Sequence, residues 1–225
     1  MNYFTLIISI LVFCSYSYGQ KKHCFCDKVP EMNDATTSCE TTRLKNNSKL
    51  YWQYDCKRIW LTLENAKGKK AVISEVDIEL FGYTYRLGYH LIKEYKNSLL
   101  FRGGCPANGH CIYTLIDKKN GKKIKQFEQL INIDTDIARQ NPHPYQFDFV
   151  VYLSDSNNLK IYYIDSKKTL TVPFRAFKDI SNSILPEFQF KEMTLKDDLL
   201  TLYYETDDKK NKVLKINLKN KKYRH

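Results

Sequence analysis

Glycine and proline are scarce in this chain, at 8 and 6 of 225 residues, and tryptophan and methionine are scarcer still, at 2 and 3. So little glycine and proline excludes collagen-like and low-complexity linker architectures. Arginine is rare beside lysine, with only 7 Arg among the 36 basic residues. That removes most of the planar forks with which specific nucleic-acid readers grip phosphates and base edges. The chain has no Gly-x-Ser-x-Gly, no His-Glu-x-x-His and no glycine-rich phosphate loop. Motifs therefore offer no nucleophile elbow, no zinc-protease helix and no nucleotide cradle.

Long apolar runs are absent too, except for Phe4 to Phe13. Ten residues are too few to cross a hydrocarbon core of roughly 30 Å as a helix. Ser17 and Gly19 place small residues at the −3 and −1 positions behind the run, so residues 1–19 read as a secretory signal peptide cut after Gly19. The mature chain then starts at Gln20, carries no transmembrane segment and is secreted or periplasmic. Cys14 offers the alternative of a lipoprotein, but the residue before it, Phe13, is large where lipidation needs a small one.

Beyond the leader stand six cysteines, Cys24, Cys26, Cys39, Cys56, Cys105 and Cys111. An even number in an oxidising compartment points to disulfides. Cys105 and Cys111 flank the turn-rich Pro106-Ala107-Asn108-Gly109-His110 and are expected to pair. Cys24 and Cys26 are too close to prefer each other, so each takes one of Cys39 and Cys56, with both connectivities open. A zinc site on these four thiols is disfavoured by the Cys-x-Cys spacing, which chelates one tetrahedral ion poorly. No metal and no cofactor is expected.

What the chain has in quantity is aromatic and lysine side chains: 14% aromatic with 17 Tyr, and a net charge of +11. The composition is that of a folded protein. Lysine clusters at Lys67 to Lys70, Lys118-Lys119, Lys122-Lys123, Lys167-Lys168, Lys209-Lys210 and Lys219 to Lys222 fall in expected turns or at the tail. Charge placed there reads as solvated surface, with no specific nucleic-acid partner.

From residue 50 onward, period-two alternation dominates, as in Arg58 to Glu64 and Leu159 to Asp165. Such stretches are strands, and the short polar segments between them join antiparallel neighbours. Four units recur, with first strands starting near Tyr51, Leu99, Phe147 and Phe188, spaced 48, 48 and 41 residues apart, and second strands near Ile59, Ile112, Ile161 and Thr201. Meanders at that period predict an all-β, propeller-like repeat fold, with a β-sandwich or barrel as the alternative. Expected boundaries are the leader 1–19, a disulfide-stapled amino-terminal segment 20–57 and one β-repeat domain over 50–225. The stretch Tyr152 to Tyr163, with Asp155, Asn157 and paired tyrosines, resembles the repeats of the DKNYY family. That resemblance implies hairpin repeats and transfers no functional residue. Helix is expected only at Thr36 to Asn46 and at Phe174 to Ile184, where apolar residues fall near helical spacing.

Candidate chemistry is thin. Arg102, His110 and His143 are the binding candidates, the first two around the Cys105 to Cys111 loop and the third between Pro142 and Pro144. Asp134 and Asp136 alternate as Ca²⁺ ligands would, without the other oxygens of a known loop. No catalytic residue is assigned. The function expected is that of an exported, non-enzymatic binding protein presenting loops and Tyr-rich faces to a protein or glycan. The alternatives are an extracytoplasmic polysaccharide-acting enzyme with paired carboxylates and a secreted inhibitor or immunity-type protein.

Overall fold

The computed structural model describes residues 24, 26, 39–77, 79–80, 87–106, 109–131, 147–154 and 158–219, with the backbone of 222–224. The expected leader at residues 1–19, His23, Asp134, Asp136 and His143 lie outside these residues. Four antiparallel sheets follow one another along the chain. The first holds β1 (Thr42–Arg43), β2 (Lys49–Tyr54), β3 (Arg58–Glu64) and β4 (Lys70–Asp77). The second holds β5 (His90–Glu94), β6 (Ser98–Gly103), β7 (Ile112–Asp117) and β8 (Lys123–Phe127). The third holds β9 (Phe149–Ser154), β10 (Asn158–Tyr163) and β11 (Thr169–Pro173), and the fourth β12 (Phe190–Lys196), β13 (Leu199–Glu205), β14 (Asn211–Asn217) and β15 (Lys222–Arg224). Every sheet is an up-and-down meander, so the fold is all-β and propeller-like.

The third sheet has a fragmentary fourth strand. Ile131 N donates to Val151 O at 2.9 Å and Leu153 N to Gln129 O at 3.1 Å, which lays residues 129–131 beside β9. With that segment counted, β2, β6, β9 and β13 are equivalent second strands, starting at Lys49, Ser98, Phe149 and Leu199. Their spacings are 49, 51 and 50 residues. The repeat is thus more regular than the sequence suggests, because Thr201 belongs to β13 and the last unit opens at Phe190.

Packing explains why some strands alternate and others do not. On β6, Leu99 and Phe101 are buried against the first sheet while Leu100 is buried against the third. On β9, Val150 and Tyr152 face the second sheet and Phe149, Val151 and Leu153 face the fourth. Inner sheets are covered on both faces, so β6 and β9 hold runs in which successive apolar residues are buried on opposite faces, Leu99 to Phe101 and Phe149 to Leu153. The fourth sheet buries Leu200, Leu202 and Tyr204 and leaves Tyr203 40% exposed between them. At about 25 cal/mol per Å² of apolar area buried, these sheet-to-sheet contacts are the main stabilising term.

Neither expected helix forms. Thr42–Arg43 is a strand followed by a turn in which Leu44 N donates to Ser48 O at 2.9 Å. Residues 175–179 are a 3₁₀ turn, with Phe177 N donating to Phe174 O and Ile180 N to Phe177 O, each at 3.0 Å. Phe174, Phe177 and Ile180 are spaced by three, the 3₁₀ period, and Ile184 is 77% exposed, so no apolar face continues to it. A second 3₁₀ turn, Pro186–Gln189, leads into β12. No helix among the described residues is long and apolar enough to cross a membrane.

Three disulfides are present: Cys24 to Cys39, Cys26 to Cys56, and Cys105 to Cys111. The first two build a small satellite core in which Cys26, Tyr54 and Ile59 are buried. It is pinned to the first sheet by a parallel bridge between Cys24 and Tyr54.

Candidate functional site

The loop closed by Cys105 and Cys111 leaves β6 through Gly103 and Gly104. A Cβ on Gly103 would stand 2.6 Å from the Tyr89 ring, so only glycine fits there. Gly104 takes the left-handed backbone, with φ +61°, that turns the chain out of the sheet. At the far end, His110 Nδ1 lies 2.8 Å from Glu187 Oε1, and Gln129 Nε2 lies 3.2 Å from His110 Nε2. With the Gln129 amide nitrogen facing Nε2, that ring nitrogen is the acceptor, and the proton sits at Nδ1 and points to Glu187. Both ring nitrogens are therefore occupied. Glu187 is buried at 3% exposure, and its Oε2 has no partner. The loop, the chain after β8 and the turn before β12 are tied at this one histidine.

Arg102 lies inside β6, in register with His90 and Tyr113, and so stands apart from the loop tip. The structure thus gathers His110 with Glu187 and Gln129, neither of which the sequence singles out. No sequence signal marks Glu187, since its burial depends on a fold-level contact 77 residues away.

A second place has the geometry of a binding site. The β1–β2, β3–β4, β5–β6 and β7–β8 turns converge at one end of the first two sheets around a cleft of about 640 Å³. That volume falls in the ~300–1,000 Å³ range of ligand pockets. Its walls carry Lys67, Lys69, Lys96 and Lys119, whose side chains are exposed, and its floor includes the buried Ser48, whose Oγ has no partner. The lysine clusters at 67–70 and 118–119, expected to be independent solvated turns, are brought together here.

Lys118 corrects that expectation most clearly. It is 3% exposed, and its Nζ bonds Glu94 Oε1 at 2.6 Å. The same carboxylate oxygen accepts Lys45 N at 2.8 Å from the first sheet. Packing at the seam is equally tight, since a Cβ on Gly121 (φ +72°) would approach Ala71 Cβ to 2.6 Å. The cleft is held between two sheets that cannot slide past each other without breaking these contacts.

No family model and no curated protein matches the chain. Among solved structures it is similar to puromycin hydrolase, at 8% identity and TM-score 0.36, over 82% of this chain and 27% of that one. It is similar to HIRA(644-1017) at 9% identity and TM-score 0.34, over 82% of this chain and 54% of the other. BamB from Moraxella catarrhalis gives 10% identity and TM-score 0.31, over 82% and 60%. The chain thus spans less than two thirds of the length of each of these structures, and none of them carries a functional residue over to it.

Proposed function

We propose that the protein is an exported binding protein that takes a protein or glycan partner in the cleft between the turns of its first two sheets. The observation that carries this is the convergence of four hairpin turns on one cleft of about 640 Å³, over a seam fixed by hydrogen bonds and a buried ion pair. A rigid, preformed site loses little entropy on binding. Three disulfides and the leader-like residues 1–19 fit an oxidising, extracytoplasmic setting. Residues 20–57 then act as a staple for the repeat domain over 50–225.

Binding suits the cleft better than hydrolysis by paired carboxylates, which needs two acids facing the scissile bond. Asp117 is the one acid among the described residues lining the cleft, and its Oδ1 already accepts Lys119 N at 2.7 Å and Asn120 N at 3.2 Å. His110 belongs to the tie between sheets rather than to the contact surface, because a base would need the lone pair that Gln129 occupies. Ala66 lines the cleft in an exposed turn, so Ala66→Trp fills its mouth at little cost to folding. A glycan array and a panel of purified secreted proteins, probed with wild type and this variant, test the proposal. Ligands held by wild type should be lost by Ala66→Trp, and undiminished binding by the variant would move the contact elsewhere.

A further inference from the structure

We infer that the cleft selects an anionic polysaccharide, a polymer bearing carboxylate or sulfate groups on its sugars; this rests on the cleft being the binding site. The lining is unbalanced in both charge and hydrogen-bonding sense. Of its five ammonium groups, Lys118 is neutralised by Glu94 at 2.6 Å, which leaves Lys67, Lys69, Lys96 and Lys119 with no carboxylate partner among the described residues. The single lining acid, Asp117, has one carboxylate oxygen engaged by two backbone N–H groups of its own turn.

The asparagines sharpen the same preference. Asn46 Oδ1 accepts Ser48 N at 3.2 Å, and Asn120 Oδ1 accepts Lys122 N at 2.8 Å. With their oxygens turned onto the backbone, what these side chains have left to offer a ligand is N–H. Ammonium groups and amide donors together match a ligand rich in anionic acceptors. Polymers read by stacking are a poorer match, because no aromatic ring lines the cleft among the described residues. Neutral sugars and single-stranded bases both rely on such rings for affinity. The net charge of +11 adds long-range attraction for a polyanion, and the cleft gives that attraction a place to end.

The test uses the whole mature chain with four polymers: polygalacturonate for carboxylate, dextran sulfate for sulfate, dextran as the neutral polymer, and oligothymidylate as a phosphate polymer. Expected is binding to polygalacturonate or dextran sulfate that falls at least about 10-fold between about 50 and 200 mM salt, as ion release requires. Which of the two binds better identifies the acid group. Lys67→Glu combined with Lys96→Glu should weaken that binding more than about 10-fold. Lys196→Glu combined with Lys215→Glu changes net charge equally on the exposed face of the fourth sheet and should leave it within about 3-fold. Equal loss in both pairs, no binding of either acidic polymer, or a preference for oligothymidylate overturns the inference. Binding of dextran that Ala66→Trp abolishes would also overturn it, while leaving the cleft as the binding site.

Discussion

Asn65 donates its side-chain amide to the backbone carbonyl of Lys119 at 2.7 Å, across the seam between the first and second sheets. Its Oδ1 meanwhile accepts the backbone N–H groups of Lys67 and Lys69, at 3.0 Å each. One side chain thus shapes the β3–β4 turn and fastens it to the β7–β8 turn, with the cleft between them. The two roles separate by substitution. Asn65→Asp keeps the turn acceptor and loses the seam donor, whereas Asn65→Ala loses both. At about 0.5–1.5 kcal/mol per hydrogen bond, unfolding free energies from urea denaturation should fall in the order wild type, Asn65→Asp, Asn65→Ala, with the last, which loses all three bonds, down by about 1.5–4.5 kcal/mol. An Asp variant as unstable as the Ala variant would show that the turn has no independent role.

Glu94 and Lys118 form the buried counterpart of that seam bond. Removing the acid alone strands an ammonium group that is 3% exposed, so Glu94→Ala should cost about 3–5 kcal/mol. Glu94→Gln with Lys118→Met removes both charges, keeps an acceptor for Lys45 N and keeps the volume. The double variant should recover most of the loss, as measured by urea unfolding. If it is no more stable than Glu94→Ala, the pair acts through something other than mutual neutralisation.

These two contacts also show where the sequence stops being informative. β3 was legible as Arg58 to Glu64 because polar Arg58, Thr62 and Glu64 alternate with Ile59, Leu61 and Leu63, although residues 59–63 are all buried, and the Cys105 to Cys111 bridge because a six-residue loop limits the choices. The unit period was blurred at its end, since Phe188 precedes the strand and stands 45% exposed in a 3₁₀ turn. Lys118 sits in a run of charged turn residues that any composition argument assigns to solvent. Its burial follows from the second sheet meeting the first, and Glu94, 24 residues earlier, carries no mark of being its partner. The cleft was illegible for the same reason: its four turns are 17 or more residues apart in sequence and converge only through sheet packing.

Lys93 sets a pH dependence. Burial is the largest cause lowering its ammonium pKa from the ordinary lysine value of 10.5 to about 8, with Lys45 adding to the shift and Asp148 opposing it. Its Nζ donates to Phe147 O at 2.7 Å and lies 4.7 Å from the Tyr95 ring centroid. The unfolded chain therefore holds this proton more tightly, and between about pH 8 and 10 stability should rise with pH. Above that window the sign reverses. Burial, with the hydrogen bond to Glu64, raises the Tyr51 hydroxyl to about 12, and burial raises Tyr95 further, so the unfolded chain ionises first. Urea unfolding of Lys93→Met should lose the rise below pH 10 and keep the fall above it. An unchanged profile would show that Lys93 is not its source.

The His110 to Glu187 contact predicts what the Cys105 to Cys111 bridge is for. A ring closed over six residues removes little chain entropy, so Cys105→Ser with Cys111→Ser should leave a folded protein less stable by about 2 kcal/mol. His110→Ala strips Glu187 of the partner on Oε1 when Oε2 already has none, leaving a carboxyl that is 3% exposed with nothing to donate to it. That loss should cost about 1–3 kcal/mol. Glu187→Gln keeps an oxygen for the Nδ1 proton and should cost less. A double-mutant cycle between His110→Ala and Glu187→Ala, each of which removes the contact, measures their coupling directly. If the disulfide holds His110 in place, the same cycle repeated without the bridge should give a smaller coupling energy. Equal coupling with and without the disulfide would show that the loop finds Glu187 unaided, and the bridge would then serve only as a staple between β6 and β7.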